Sequence, residues 1–80
     1  MTTYEKLRLI IQEQMQDQTI PIEPASRLKE DLALSSLQQI RLIDALETEF
    51  GITLQMEDFK ESNFISLLTL TKMLEENYAL

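Results

Sequence analysis

The sequence contains no cysteine and no histidine. Without cysteine the chain can form no disulfide, and it has no thiol nucleophile and no thiolate ligand for a metal. Without histidine it lacks the usual base for activating a serine and the commonest ligand of transition metals. We therefore predict no catalytic residues and no metal site, and any thiol chemistry would need a thiol supplied from outside the chain.

Glycine and basic residues are also scarce. The only glycine is Gly51, and 7 Lys and Arg stand against 14 Asp and Glu, which gives a formal net charge of -7. A chain this acidic repels phosphate backbones, so the composition argues against nucleic-acid binding. It should instead attract proteins that present basic patches.

Long apolar runs are absent as well. None approaches the roughly 20 residues that span a bilayer, and the apolar run near the start is followed by Gln12 and Glu13 where a signal peptide would have small residues. We therefore expect a cytoplasmic protein. The 80 residues suffice for one domain, residues 1–80, and are too few for a second lobe with a substrate cleft between the two. This size favours a partner or substrate of enzymes over an enzyme.

Apolar residues recur at helical spacing in several segments. The first predicted helix runs from about Thr3 to Gln16, and Pro21 and Pro24 then prevent its continuation. The long connection Asp17–Ser35 is expected to be ordered. The residues around Ser26–Glu30 are compatible with a short helical turn. The apolar residues expected to anchor this connection are Ile20, Ile22, Leu28, Leu32 and Leu34.

The second predicted helix has the clearest signals. Ser35 followed by Gln38 three residues later is typical of a capping box at its start. Gly51 suits the left-handed position just past its end. The apolar stripe of this helix consists of Leu37, Ile40, Ile43, Leu46 and Phe50. Ile40 is expected to be core, whereas Leu37 lies at the exposed end of the helix.

The remainder of the chain predicts one short helix and one long helix. The short helix is expected at Met56–Phe59, and Ser66 is expected to cap the long one. Residues of the last helix predicted to face the core are Leu67, Leu70, Thr71, Leu74 and Tyr78. Methionines expected to fill core space are Met15, Met56 and Met73. The pattern as a whole predicts an all-α fold, a small four-helix bundle of three long helices and a short third one, with a long first loop.

One stretch carries a family resemblance. It runs Asp31-Leu-Ala-Leu-Ser-Ser-Leu37 and continues through the second predicted helix to Leu46-Glu-Thr-Glu-Phe-Gly-Ile52. It resembles the acyl and peptidyl carrier proteins, which show a pattern close to D-L-G-L-D-S-L, then an amphipathic helix that ends in L-E-x-x-F-G-I. The resemblance covers almost the whole chain and implies the four-helix bundle of the acyl-carrier type, as a freestanding carrier.

The resemblance also implies a function. In carrier proteins the serine before the last leucine of the pattern holds a 4′-phosphopantetheine arm taken from coenzyme A, and here that serine is Ser36. The arm would supply the missing thiol and carry acyl or aminoacyl intermediates as thioesters, in fatty-acid, polyketide, nonribosomal-peptide or related biosynthesis. The implied partners are a phosphopantetheinyl transferase and the loading and condensing enzymes of the pathway, with the carrier itself a monomer.

Two positions depart from the family pattern. Ser35 stands where the family usually has Asp, which keeps a helix cap but removes its negative charge. Ala33 stands where the family has Gly, which removes some backbone freedom and is expected to be a mild change. The adjacent Ser35 and Ser36 leave either hydroxyl open to modification, and the register of Leu34 and Leu37 favours Ser36.

The second helix also carries candidate docking residues for basic partners, namely Leu37, Arg41, Asp44 and Glu47. Positions that are often acidic in fatty-acid carriers are occupied here by Gln38, Gln39, Arg41 and Thr48. Because charge matching selects partners, this mixed face favours a dedicated pathway over general fatty-acid synthesis. The same charges also suit an ordinary solvated helix, and serines are common caps. The alternative is therefore a non-covalent acidic adaptor that carries no prosthetic group.

Overall fold

The computed structural model describes residues 1–80 and contains three α-helices and no β-strand. The helices are α1 (Thr3–Gln14), α2 (Ser36–Phe50) and α3 (Leu67–Tyr78), and α1 packs against both of the others. Two 3₁₀ turns, Met56–Phe59 and Glu61–Phe64, lie between α2 and α3. None of the helices combines the length and the apolar character that a membrane span requires. The all-α prediction is confirmed, but the short third helix is replaced by the two 3₁₀ turns.

Polar side chains explain why this segment forms single turns. The carboxylate of Asp58 accepts a hydrogen bond from the N–H of Gln55 at 2.8 Å. The amide of Asn63 donates to the carbonyl of Asp58 at 3.0 Å. The bond from Gln55 thus caps the start of the first turn, and the bond from Asn63 uses a carbonyl that a longer helix would need, so each turn has only four residues.

The first helix ends two residues before its predicted end. After Gln14 the backbone of Met15 is extended, and the Met15 side chain is buried in the core. The carboxylate of Asp17 then accepts hydrogen bonds from the N–H and the hydroxyl of Thr19. This local turn competes with a further turn of helix and sets the direction of the long connection.

The core is one cluster of 15 buried apolar residues drawn from all three helices and the two long connections. Its largest fully buried members are Leu7, Ile11, Leu28, Leu34, Leu42, Leu46, Leu67, Leu70 and Leu74. The predicted anchors of the first connection are confirmed, since four are buried and Ile20 packs against the cluster. Met15 and Met73 fill core space as predicted. The prediction for Met56 is wrong, because its side chain is 90% exposed.

The buried face of α2 overlaps the predicted apolar stripe only in part. Leu42 and Leu46 are its buried residues, whereas Leu37 and Ile40 are 56% and 62% exposed. At 3.6 residues per turn, the apolar residues of α2 spread over more than half of its circumference. Spacing alone therefore does not say which part of that arc meets α1. The predicted stripe is confirmed for Leu46, which is buried, and for Ile43 and Phe50, which pack against the core, and it is wrong for Ile40.

Backbone bonds to the start of α3 order the first long connection. The first two N–H groups of α3 donate to the carbonyls of Ser26 and Pro24, at 3.2 and 2.8 Å. Arg27 pairs with Ser66 in an isolated antiparallel bridge. The helical turn considered from Ser26 onward is instead a hydrogen-bonded turn over Leu28–Leu32. The connection that precedes α2 is thus fixed against the rest of the molecule.

Candidate functional site

Ser36 is the first residue of α2 and lies at the surface. The residue before it, Ser35, is the N-cap, as predicted. The hydroxyl oxygen of Ser35 accepts from the N–H of Gln38 at 3.2 Å, and the Gln38 side chain accepts from the N–H of Ser35 at 2.8 Å. The Ser35 hydroxyl therefore serves the cap, whereas the Ser36 hydroxyl makes no hydrogen bond within the protein.

The start of α2 leaves two backbone donors free. In α3 the first two N–H groups bond to the long connection, but the N–H groups of Ser36 and Leu37 donate to no acceptor in the protein. The first turn of α2 also lacks an acidic residue. Unpaired N–H groups at the positive end of a helix dipole favour a negatively charged group such as a phosphodiester.

A groove of about 400 Å³ opens beside Ser36. The rings of Phe59 and Phe64 stack with parallel planes and centroids 6.1 Å apart. The remaining apolar residues of the lining are Ile40, Ile43 and Ile65, and the polar rim includes Lys29, Glu30, Gln39 and Glu61. Phe59, Phe64 and Ile65 were not predicted from the sequence as part of the site. The one available signal was the surplus of apolar residues on α2, because a helix with more apolar surface than a core requires often lines a second site.

The loop before α2 contains a residue with left-handed backbone. Ala33 has a φ of 55°, in the left-handed region that disfavours residues with a Cβ atom. The family pattern has Gly at this position, and Gly adopts a positive φ without strain. Here Ala33 keeps the positive φ but carries a Cβ atom. The left-handed backbone at Ala33 is thus a source of strain that the family pattern alone did not reveal.

An ion pair supports the same loop. The carboxylate of Asp31 accepts from the backbone N–H of Arg27 at 2.8 Å and from its guanidinium at 3.1 and 3.2 Å. The side-chain hydrogen bonds from Arg27 lower the pKa of Asp31, and its backbone bond adds to the effect. The first residue of the family pattern thus has a structural role in closing the turn before α2.

The candidate docking residues occupy different environments. Leu37, Arg41 and Asp44 are exposed on one side of α2, and neither charged residue forms an ion pair. Glu47 is half-buried, and its carboxylate accepts from the N–H of Leu54 at 2.8 Å. Glu47 therefore holds the chain that follows α2, a structural role that was not predicted from the sequence.

A second polar cluster surrounds Asp58, which is only 3% exposed. Its carboxylate accepts from the hydroxyl of Tyr78, from the amide of Asn77 at 2.9 Å and from the N–H of Gln55 at 2.8 Å. The bond from Tyr78 is the main reason that the pKa of Asp58 is lowered. Burial, and then the bond to Asp58, raise the pKa of Tyr78. This cluster joins the first 3₁₀ turn to the end of α3, and no group of three or more acidic side chains is placed to hold a metal ion.

Comparisons with known proteins agree with this arrangement. The family described as "Phosphopantetheine attachment site" matches residues 5–70. The chain is 29% identical over 77 residues to an acyl carrier protein of Helicobacter pylori, and the match covers 96% of each chain. It is 34% identical over 58 residues to an acyl carrier protein of Helicobacter hepaticus, covering 72% of this chain and 76% of that protein.

A solved structure shares the fold. It is the crystal structure of Bradyrhizobium japonicum glycine:[carrier protein] ligase complexed with glycylated carrier protein. The match has a TM-score of 0.82 and 25% sequence identity, and it covers 89% of this chain and 96% of that chain.

The residues present fit a group attached through a phosphodiester. The start of α2 offers an exposed hydroxyl, two free N–H donors and an adjacent apolar groove. Family membership implies that the group is 4′-phosphopantetheine. The chain belongs to the phosphopantetheine attachment site family of carrier proteins.

Proposed function

We propose that residues 1–80 form one carrier domain that holds acyl or aminoacyl groups as thioesters on a 4′-phosphopantetheine arm attached to Ser36. The observation that carries this proposal is the position of Ser36, exposed at the start of α2 with a free hydroxyl. The capping bond of Ser35 supports Ser36 over its neighbour. The acidic adaptor without a prosthetic group is not favoured, because the family is defined by attachment of this group.

Attachment requires a transferase. The chain has no histidine, and no carboxylate bonds to the Ser36 hydroxyl, so nothing in the protein removes its proton. Ser36 Oγ attacks the phosphorus of coenzyme A that bears the pantetheine arm, and a new P–O bond forms as the pyrophosphate bond breaks. The adenosine bisphosphate half leaves, and the hydroxyl proton passes to a base of the transferase. The N–H groups of Ser36 and Leu37 are the donors available to the resulting phosphodiester.

The bound arm supplies a thiol that forms thioesters with carboxylic acids. The chain itself contributes the attachment oxygen, the positive end of α2 and the apolar groove beside it. We propose that this groove partly shelters apolar cargo, since its lining combines α2 with the 3₁₀ turns. The stacked Phe59 and Phe64 rings form its aromatic part.

The cargo belongs to the acyl or aminoacyl class. Two relatives are named as acyl carrier proteins, and the similar solved structure contains a glycylated carrier protein. The mixed charge around Arg41 supports a dedicated pathway over general fatty-acid synthesis. The proposed partners are a phosphopantetheinyl transferase and loading and condensing enzymes with basic patches, which meet the carrier as a monomer at Leu37, Arg41, Asp44 and Glu47.

Intact mass spectrometry tests the proposal. Wild type, Ser35→Ala and Ser36→Ala are incubated with coenzyme A and a broad-specificity transferase. Wild type and Ser35→Ala should each gain one phosphopantetheine, and Ser36→Ala should gain none. Circular dichroism checks that Ser35→Ala, which loses a cap contribution of about 1 kcal/mol, remains folded.

Two results would contradict the proposal in different ways. If Ser36→Ala gained one arm, the attachment would lie on another hydroxyl, with Ser35 as the first candidate. No added mass on the wild type with several transferases would instead favour the adaptor.

A further inference from the structure

The side chain of Gln38 makes hydrogen bonds in two directions. Its Oε1 accepts from the N–H of Ser35 at 2.8 Å and completes the capping box of α2. Its Nε2 donates to the carbonyl of Gln14 at 2.9 Å, and Gln14 is the last residue of α1. One side chain therefore joins the start of α2 to the end of α1 across 24 residues of sequence.

Of the two residues typical of this place in a capping box, glutamate and glutamine, only glutamine can make both bonds. A carboxylate accepts hydrogen bonds but does not donate them. Glutamate, a common residue at this place in a capping box, would keep the bond to Ser35 and lose the bond to Gln14. It would also place a negative charge against the negative end of the α1 dipole, and the last turn of α1 contains no basic residue to offset it.

The neighbouring glutamine supports the same region from the other side. Gln39 Nε2 donates to the carbonyl of Leu34 at 3.2 Å. Leu34 and Ser35 are the two residues that precede Ser36, so the backbone on this side of the attachment serine is bonded to glutamine side chains of α2. The Ser36 hydroxyl itself remains free.

From this geometry, and resting on the proposed attachment at Ser36, we propose that Gln38 is a positioning residue for the attachment reaction. It holds the start of α2 against the end of α1, so that Ser36 meets the transferase in one orientation. Gln38 acts through the backbone of Ser35 and not by contact with the reacting hydroxyl. The carbonyl of Gln14 explains why this capping box contains glutamine and not glutamate, since that carbonyl needs a hydrogen-bond donor.

The test compares two substitutions that add the same charge. Gln38→Glu removes the bond to Gln14. Gln16→Glu is the control, because Gln16 is exposed, lies two residues past α1 and makes no side-chain hydrogen bond. Loading with coenzyme A and a transferase is followed by mass spectrometry, and kcat and KM are measured at a temperature where circular dichroism shows all variants folded.

Gln38→Glu should lower kcat/KM by about two- to tenfold, the equivalent of one ordinary tertiary hydrogen bond. Gln38→Met, which has similar length and no amide, should lower it at least as much. Gln16→Glu should load like the wild type. Reduced stability alone would not slow loading of fully folded variants, so the rate separates positioning from a purely structural role.

A measurement on the wild type provides a second test that needs no variant. The Nε2 protons of Gln38 should exchange with solvent more slowly than those of Gln16 in nuclear magnetic resonance spectra. Equal exchange rates would overturn the proposal even if a Gln38 variant failed to fold.

The outcomes separate this inference from the proposed function. If the wild type takes up no arm, the proposed function fails and the role of Gln38 fails with it. If the wild type loads and both Gln38 variants load as fast as Gln16→Glu, the carrier function stands and the positioning role is wrong.

Discussion

At the scale of single residues, α2 is flanked by two positions with left-handed backbone, one occupied by alanine and the other by glycine. Ala33 has φ 55° and Gly51 has φ 66°. A Cβ atom built at Gly51 meets nothing within 4 Å, so a substitution there would change backbone strain and not packing. Left-handed backbone costs a residue with a Cβ about 1–2 kcal/mol, while glycine loses about 0.4–1 kcal/mol more chain entropy on folding.

These two positions predict a pair of opposite stability changes. Ala33→Gly should raise the free energy of unfolding, and Gly51→Ala should lower it, each by about 0.5–1 kcal/mol. In a domain of this size that corresponds to a change in Tm of about 2–8 °C. Thermal and urea unfolding of the two variants measure the effect. A fall in stability for Ala33→Gly would show that the loop gains more from its methyl group than it loses in strain.

At the scale of elements, the Asp58 cluster holds the 3₁₀ turns against α3. Tyr78 and Asn77 reach Asp58 from the last turn of α3, 20 and 19 residues away in sequence. These bonds favour the charged carboxylate and lower its pKa. The groove beside Ser36 depends on this attachment, because Phe59 and Phe64 lie in the segment that the cluster holds.

The cluster predicts how stability depends on acid. The folded-state pKa of Asp58 lies below its unfolded value of about 3.9. The charged Asp58 carboxylate therefore stabilises the folded state at pH values above its unfolded-state pKa. This stabilisation is lost as the pH falls through the lower folded-state pKa. In urea unfolding between about pH 7 and pH 3, the free energy of unfolding should fall more steeply with decreasing pH for wild type than for Asp58→Asn.

A matched variant makes this comparison specific. Asp44→Asn removes a carboxylate of the same charge that is exposed and accepts no hydrogen bond. If Asp58→Asn and Asp44→Asn had the same pH profile, the network around Asp58 would make no special contribution to stability in acid.

At the scale of the whole molecule, the net charge of -7 governs encounters with partners. Opposite charges steer association, and salt screens them with a Debye length of about 10 Å at 0.1 M. The exposed side of α2 with Leu37, Arg41 and Asp44 lies next to Ser36, so we expect a partner that acts on Ser36 to meet this surface.

Loading by a transferase should therefore depend on salt. Between about 0.02 and 0.5 M NaCl, kcat/KM should fall by about tenfold or more, mainly through KM, because steering acts on association. Asp44→Lys should reduce kcat/KM more than Glu75→Lys, which makes the same change of charge on α3. Equal effects of the two variants would mean that only total charge matters and that α2 is not the docking side.

The sequence by itself determined the features that depend on residues within about one helical turn of each other. Three helix ends are of this kind, because caps and left-handed stops are local: the start of α2 at Ser35 and Gln38, its end at Gly51, and the start of α3 at Ser66 and Thr69. The family pattern around Ser36 belongs to the same class of local information, and so does the absence of cysteine and histidine.

Only the tertiary structure decided which apolar face of α2 is buried and which distant groups bond to each other. Leu42 rather than Ile40 meets the core because the packing of α1 selects one part of a wide apolar arc. The bonds from Gln38 to Gln14 and from Tyr78 to Asp58 join residues 20 or more positions apart. No local pattern encodes such partners, since their free energy exists only after the chain has brought the distant groups together.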